Sequence, residues 1–103
     1  TREIEDNAFE NCRSLKSITL PKNMTAIYDE AFLDCKNLSK VNVKSTKNAP
    51  LIGEDAFENT KKGIKFYVKN KKVTKSLKKQ LKGSGVRNAK ILIGKKVVYK
   101  NVK

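Results

Sequence analysis

The side chains in this sequence that could take part in chemistry are two cysteines, ten acidic residues and 24 lysines and arginines, with no histidine. Histidine is the commonest general base and the commonest metal ligand, so its absence removes the usual starting point for a catalytic or zinc site. Gly83-Ser84-Gly85 is not a phosphate loop, because it follows a predicted helix and lacks the Gly-Lys-Ser/Thr ending. The sequence therefore predicts a protein that is not an enzyme and holds no metal or cofactor.

The two cysteines, Cys12 and Cys35, occupy equivalent positions in two similar segments that are 23 positions apart. Two ligands do not close a tetrahedral zinc site, so the pair alone does not indicate one. If the segments lie side by side, a disulfide is geometrically feasible, since neighbouring strands are about 4.8 Å apart and bonded cysteines have Cα atoms about 4.4–6.8 Å apart. Free thiols are the alternative.

Acidic residues recur just before an Ala-Phe pair in three segments of the chain. Their short oxygen-bearing side chains suit the N-cap of a brief helical turn, which is the interpretation we favour. Stacked carboxylates could instead bind Ca²⁺, although one acid per segment does not match a known calcium loop. The aligned positions are Asp6, Asp29 and Glu54, followed by Asn7, Glu30 and Asp55.

The net charge of +14 is concentrated in the C-terminal part, because residues 61–103 contain sixteen lysines and arginines and no acidic residue. Such a block attracts polyanions in a salt-dependent way, or it is a solvated face that keeps the protein soluble. Nucleic acid is a poor fit, since one arginine accompanies many lysines and the tyrosines are isolated. The candidate polyanion-binding residues are Lys71, Lys72, Lys75, Lys78, Lys79 and Lys82.

These residues are positioned by an internal repeat, in which apolar residues recur at a fixed offset of 23 positions and a weaker third copy follows 25 positions later. The matching residues are Ile4, Ala8, Phe9, Cys12, Leu15, Ile18 and Leu20 in the first copy and Ile27, Ala31, Phe32, Cys35, Leu38, Val41 and Val43 in the second. Each copy ends in a segment of alternating polarity, which predicts a strand with one buried face. We expect a parallel sheet of three strands, 17–20, 40–43 and 65–68, and a stack of Phe9, Phe32 and Phe57 beside it.

The side chains that point outward from this sheet form two predicted rows. One row is Ser17, Lys40 and Lys65, and the other is Thr19, Asn42 and Tyr67. An exposed aromatic residue among polar ones is a plausible anchor for a ligand. The sequence therefore predicts a binding surface formed by Lys40, Asn42, Lys65 and Tyr67.

Residues 70–103 do not repeat. Val73, Leu77 and Leu81 are spaced by four and predict a helix with one apolar stripe, with Thr74 as a possible N-cap and Gly83 at the C′ position. Two apolar segments around Gly94-Lys95-Lys96 predict a β-hairpin. We expect this helix and hairpin to cap the last repeat.

The pattern Ile-x-x-x-Ala-Phe-x-x-Cys-x-x-Leu-x-x-Ile/Val-x-Leu/Val, present over residues 4–68, resembles the BspA-like leucine-rich repeats of surface proteins. The third copy departs from it, with Thr60 for cysteine, Gly63 for leucine and two extra residues within 45–50. The resemblance implies a right-handed leucine-rich-repeat solenoid with a short parallel sheet, an α/β repeat fold. It also favours free thiols, because that family uses cysteine here as a small buried residue.

We therefore expect one domain, with three repeats over 1–69, the third degenerate, and a basic helix-hairpin cap over 70–103. By resemblance it is an extracellular adhesion module of a secreted or surface protein, which binds a host or neighbouring-cell protein or glycan through the outward face. The alternative is that the basic C-terminal region tethers it to anionic cell-wall polymers or other polyanions. No apolar stretch is long enough to enter a membrane. The chain opens inside a repeat, so further repeats are expected upstream.

Overall fold

The computed structural model describes residues 3–103. Within them, eight strands and one helix follow one another along the chain. They are β1 Glu3–Ile4, β2 Ser17–Leu20, β3 Ala26–Ile27, β4 Lys40–Val43, β5 Leu51–Ile52, β6 Lys65–Val68, α1 Lys71–Leu81, β7 Ala89–Ile93 and β8 Lys96–Val102. Residues 1 and 2 of the predicted repeat region lie outside the described residues.

The larger sheet, called the main sheet, has the strand order β2-β4-β6-β7-β8. The first four strands are parallel, and β8 pairs with β7 in the antiparallel sense. The predicted register of β2, β4 and β6 is confirmed, with Ser17 beside Lys40 and Lys40 beside Lys65. We predicted three parallel strands, and the sheet has four. The fourth is β7, which pairs with β6 in parallel and places Lys90 beside Lys65.

A second, smaller sheet is built from the two-residue strands β1, β3 and β5, which pair in parallel on the other side of the core. One cluster of buried apolar residues runs between the sheets from Ile4 to Val102. Phenylalanines form its axis, since the Phe9 and Phe32 rings and the Phe32 and Phe57 rings stack with centroids 5.2 Å apart. The predicted phenylalanine stack is therefore confirmed.

The segments around the Ala-Phe pairs are tight turns, so the prediction of brief helical turns there is wrong. Non-glycine residues with positive φ interrupt each segment, as at Glu30 (56°) and Asp34 (61°), and an α-helix cannot contain such residues. Alternate backbone N–H groups point to the next repeat. The Phe32 N–H, for example, donates to the carbonyl of Ala56 in the next repeat at 2.8 Å. Hydrogen bonding between repeats thus prevails over the local helix signal.

The N-cap of helix α1 is Asn70, whose side chain accepts a hydrogen bond from the Val73 N–H at 3.1 Å. Thr74, the predicted N-cap, is instead buried in the first turn and donates its hydroxyl to the Lys71 carbonyl. The predicted apolar stripe is confirmed, since its three residues, Val73, Leu77 and Leu81, are fully buried. Gly83 has φ +83° just beyond the C-cap, as predicted.

Polar side chains of α1 satisfy the free edge of the second sheet. The Ser76 hydroxyl accepts a hydrogen bond from the Ala49 N–H at 3.0 Å, and the Gln80 side chain accepts one from the Ile52 N–H at 3.2 Å. The predicted hairpin is also present as β7 and β8. The helix therefore stands where a further short strand would otherwise pair, while β7 extends the main sheet. The division into a repeat region and a cap stays a prediction.

Candidate ligand-binding surface

The outward face of the main sheet carries two rows of side chains that run across the strands. The first row contains Ser17, Lys40, Lys65 and Lys90, and the second contains Thr19, Asn42, Tyr67 and Leu92. Lys40 and Lys65 are exposed, whereas Tyr67 and Lys90 are half-buried. The period of two that buries Val41 and Phe66 in the core is what turns these lysines outward.

A groove of about 340 Å³ lies where β4 and β6 begin. Its lining consists of Ser39, Lys40, Lys61, Lys62, Gly63, Lys65 and Tyr67, and we call it the lysine groove. The strands supply its floor, and the loop that enters β6 supplies one wall. Gly63 has φ +80° and open space where a side chain would be, so the wall stays low at that point. The predicted residues Lys40, Lys65 and Tyr67 are thus brought together.

The electrostatics of the lysine groove are those of an anion site. Four of its seven lining residues are lysines and none is acidic. Lys40 Nζ lies 5.2 Å from the centre of the Tyr67 ring, within the range of a cation–π contact. The Tyr67 ring therefore holds the Lys40 ammonium group at the groove border. The other three lysines have no carboxylate in the lining to balance their charge.

Asn42, the fourth predicted residue, is not part of the groove. Its side-chain amide donates to the Thr19 hydroxyl at 3.4 Å, and it lines a smaller depression of about 80 Å³ that also includes Lys44 and Lys69. Tyr67 borders both depressions. The predicted sheet-face residues are therefore adjacent, with Tyr67 between Asn42 and the lysines.

Sequence reasoning missed Lys61, Lys62 and Lys90 as parts of this face. Lys90 had a usable signal, because it follows Lys65 by 25 positions, the same offset that separates Lys65 from Lys40. The two loop lysines had none, since their place depends on the conformation of the turn before β6.

The six predicted polyanion-binding lysines are all exposed on α1 or just after it. None of them lines the lysine groove. The helix begins three positions after the end of β6, whereas the groove lies where β6 begins. Lys78 Nζ lies 4.5 Å from the centre of the Tyr99 ring on β8. The lysine groove and the exposed face of α1 are therefore separate basic surfaces.

Both cysteines are free, as the family resemblance favoured, although Cys12 is only half-buried. Cys35 is fully buried, and its thiol donates to the Phe9 carbonyl at 2.9 Å. Burial raises the pKa of the Cys35 thiol and so disfavours the reactive thiolate. These cysteines are packing residues in the repeat.

Two acidic residues, Asp29 and Asp34, make hydrogen bonds between repeats. The Asp29 carboxylate accepts a hydrogen bond from the Glu54 N–H at 2.9 Å, and the Asp34 carboxylate accepts one from the Asn59 side chain at 2.9 Å. Across residues 3–103, no group of three or more histidine, cysteine or acidic side chains is arranged to hold a metal ion. The helix found in that same part of the chain is too short and polar to cross a membrane.

Stacked repeats, each adding one strand to a parallel sheet and one phenylalanine to the core, define this molecule as a leucine-rich-repeat protein. The profile of the BspA type Leucine rich repeat region (6 copies) matches residues 1–101, and the chain belongs to that family. No curated protein and no solved structure matched the chain. Repeats of this family commonly mediate protein binding or adhesion, and they are typically non-catalytic and surface-associated.

Proposed function

We propose that this chain is a non-catalytic adhesion module, displayed outside the cell, that binds a protein or glycan through the outward face of its main sheet. The observation that carries the proposal is the lysine groove, a concave depression on a sheet face whose other side forms the core. The groove is rich in lysine and includes Tyr67 in its lining, a residue type that often anchors ligands.

We also infer that the repeats form a right-handed solenoid, since strand–crossover–strand connections within one parallel sheet are right-handed in about 98% of cases. The arrangement of α1 and β8 supports the inference that residues 70–103 form a cap, because α1 covers the free edge of the second sheet and β8 pairs antiparallel with the last parallel strand, β7. A solenoid presents one continuous face per set of parallel strands, which suits an extended ligand.

The binding face is tested by removing Tyr67 and Lys65 together. We expect the Tyr67→Ala/Lys65→Ala variant to lose at least tenfold in affinity for fixed epithelial cells or fixed bacterial cells, because it loses the aromatic and one ammonium group of the groove. Binding of fluorescently labelled protein is measured by flow cytometry.

The matched control is Tyr28→Ala/Lys47→Ala, which also removes one tyrosine and one lysine but away from the main sheet. Tyr28 is 39% exposed and donates its hydroxyl to Glu3 at 2.8 Å. Equal binding by the two variants would show that the sheet face is not the binding surface.

A second candidate function is tethering through α1. The specific observation in its favour is that the helix buries its whole apolar stripe and turns the predicted polyanion-binding lysines to solvent. Lysines presented this way attract anionic polymers without shaped recognition. The partner would be an anionic cell-wall polymer.

Tethering predicts retention of the protein on isolated Gram-positive cell walls that collapses between low and physiological salt, because exposed charges are screened over about 8 Å at 0.15 M. Glutamine at all six predicted polyanion-binding positions should abolish this retention, whereas arginine at the same six positions should preserve it. Retention that the glutamine variant keeps would rule out α1 as the tether. The measurement is the bound fraction across a salt series.

A further inference from the structure

We propose that the ligand of the lysine groove is an anionic polysaccharide, bearing sulfate or carboxylate groups, that lies across the strands along the row Lys40, Lys65 and Lys90. The inference rests on the proposed function, since it names the ligand class for the same face. It goes beyond it by giving the ligand a charge, a direction and a set of contacts.

The first support is the pattern of like charges. Lys40, Lys65 and Lys90 are direct neighbours on three parallel strands, and adjacent strands lie about 4.8 Å apart. Like charges opposite one another destabilise a sheet. Lys40 and Lys65 line the groove, whose lining contains no acidic residue, and Lys90 continues the row as a half-buried residue beyond the groove. A bound polyanion would neutralise this row. Relief of the repulsion between the lysines would then contribute to the free energy of binding.

The second support is the geometry of the row. The lysines recur once per strand along a line perpendicular to the strands, and Lys61 and Lys62 stand beside that line on the loop before β6. A chain with one negative group per one or two sugar units matches such a periodic line of ammonium groups. A small compact anion would engage only part of it.

The third support is Tyr67. Its ring lies beside the lysines, in contact with Lys40 Nζ, and remains half-exposed at the groove border. The apolar C–H face of a pyranose ring packs on an aromatic ring, while sulfate or carboxylate groups at the sugar edge reach the ammonium groups. One aromatic beside several lysines therefore suits a charged sugar.

The groove is less suited to the other polyanions and to proteins. Protein interfaces are depleted in lysine and enriched in apolar residues at their centre, whereas lysine is the commonest lining residue here. Binding sites for single-stranded nucleic acid stack successive bases on several aromatic residues, and the groove has one.

The experiment measures the affinity of the full chain for four probes by fluorescence anisotropy at physiological ionic strength. The probes are a heparin oligosaccharide, a hyaluronan oligosaccharide, a neutral dextran oligosaccharide and inorganic polyphosphate of matched length. We expect saturable binding of at least one of the two acidic oligosaccharides, and none of dextran.

Two triple variants locate the site. Lys40→Gln/Lys62→Gln/Lys65→Gln changes the groove, and Lys72→Gln/Lys75→Gln/Lys79→Gln changes α1. All six lysines are exposed, and each variant removes three charges from the net +14, so a long-range attraction would be weakened equally. We expect at least tenfold weaker oligosaccharide binding for the groove variant and less than threefold for the helix variant.

Tyr67→Ala separates sugar recognition from charge. We expect it to weaken binding of the acidic oligosaccharide at least fivefold and to leave polyphosphate binding within twofold. An equal loss for the two probes would overturn the role of the sugar ring, and an equal or larger loss for the helix variant would overturn the site. Tighter binding of polyphosphate than of either acidic oligosaccharide would overturn the ligand class.

Failure of this inference is distinguishable from failure of the proposed function. If neither acidic oligosaccharide binds, while cell binding still depends on Tyr67 and Lys65, the ligand class is wrong and the sheet face remains the binding surface. If oligosaccharide binding depends on the groove but cell binding does not, the groove has the proposed ligand and the adhesion proposal fails. Circular dichroism of each variant verifies that the fold is intact.

Discussion

Replacement of Phe32 by alanine is expected to lower the free energy of unfolding by about 3–5 kcal/mol. Phe32 is fully buried, and its ring stacks against Phe9 on one side and Phe57 on the other, each at 5.2 Å. The substitution leaves a cavity in the middle of the stack that neighbouring repeats cannot fill. Because a domain of this kind is stable by only about 5–15 kcal/mol, the loss is a large share of the total.

Urea denaturation followed by circular dichroism measures this effect, and Phe9→Ala is the matched control. Phe9 occupies the equivalent position in the first repeat but is only half-buried, since it has a stacked ring on one side. We expect its removal to cost about half as much, because a half-buried ring removes less apolar surface from water. Equal costs at the two positions would show that the phenylalanine stack is not what stabilises the repeats.

Gly85→Ala is expected to cost about 2–5 kcal/mol of unfolding free energy, because it combines an unfavourable backbone angle with a close contact. Gly85 has φ +87°, and an added Cβ would lie 2.7 Å from Glu58 Cα and 2.9 Å from the Glu58 nitrogen. Backbone atoms cannot rotate away, so the segment after α1 would move off the third repeat. The hydrogen bond from the Phe57 N–H to the Ser84 carbonyl, 2.8 Å long, would break as a result.

Gly83→Ala serves as the control because it shares the angle but not the contact. Gly83 has φ +83° and nothing within 4 Å of the added Cβ, so we expect a cost of about 1–2 kcal/mol from the angle alone. Chemical denaturation of both variants gives the difference. If Gly85→Ala were no more costly than Gly83→Ala, the close packing of residues 83–85 on the third repeat would be wrong.

The parts of the fold that were predictable from the sequence are those governed by burial. Alternation of apolar and polar residues in β2, β4 and β6 predicted the register of these strands. The fixed offset between repeats predicted the stack of Phe9, Phe32 and Phe57, because equivalent positions of successive repeats are buried in the same way. The fourth parallel strand was missed although Ile91 and Ile93 follow Phe66 and Val68 by 25 positions. The turn residues that follow residues 89–93 predicted a β-hairpin, so these residues were not matched to the repeat.

The predictions that failed concern backbone hydrogen bonds. Thr74 has the side chain of an N-cap, but Asn70 precedes it at the actual start of the helix. The turns around Ala31-Phe32 bond to the following repeat, which local propensity cannot reveal. Tertiary hydrogen bonds therefore decided the conformation of the turns, whereas the helix start was decided locally, by the Asn70 side chain that accepts from the Val73 N–H.

Half of the candidate site was predictable for the same reason as the sheet. Successive side chains of a strand point to opposite faces of the sheet. Because the neighbouring residues are buried, this alternation predicts that Lys40, Lys65 and Tyr67 point outward. Lys61 and Lys62 reach the groove through a loop, and Lys90 joins the same face through the unexpected strand β7. A site that combines strand and loop residues is visible from the sequence only in its strand part.

The most direct test of the claim that the sheet face binds the ligand is lysine footprinting of the protein on its target surface. Exposed lysines are acetylated in free protein and in protein bound to fixed cells, and mass spectrometry gives the modified fraction at each position. The sheet-face account predicts protection of Lys40, Lys62 and Lys65 in the bound protein, with unchanged labelling of Lys72 and Lys79 on α1. Protection of the α1 lysines, with free labelling of the groove, would contradict the account and place the binding surface on the helix.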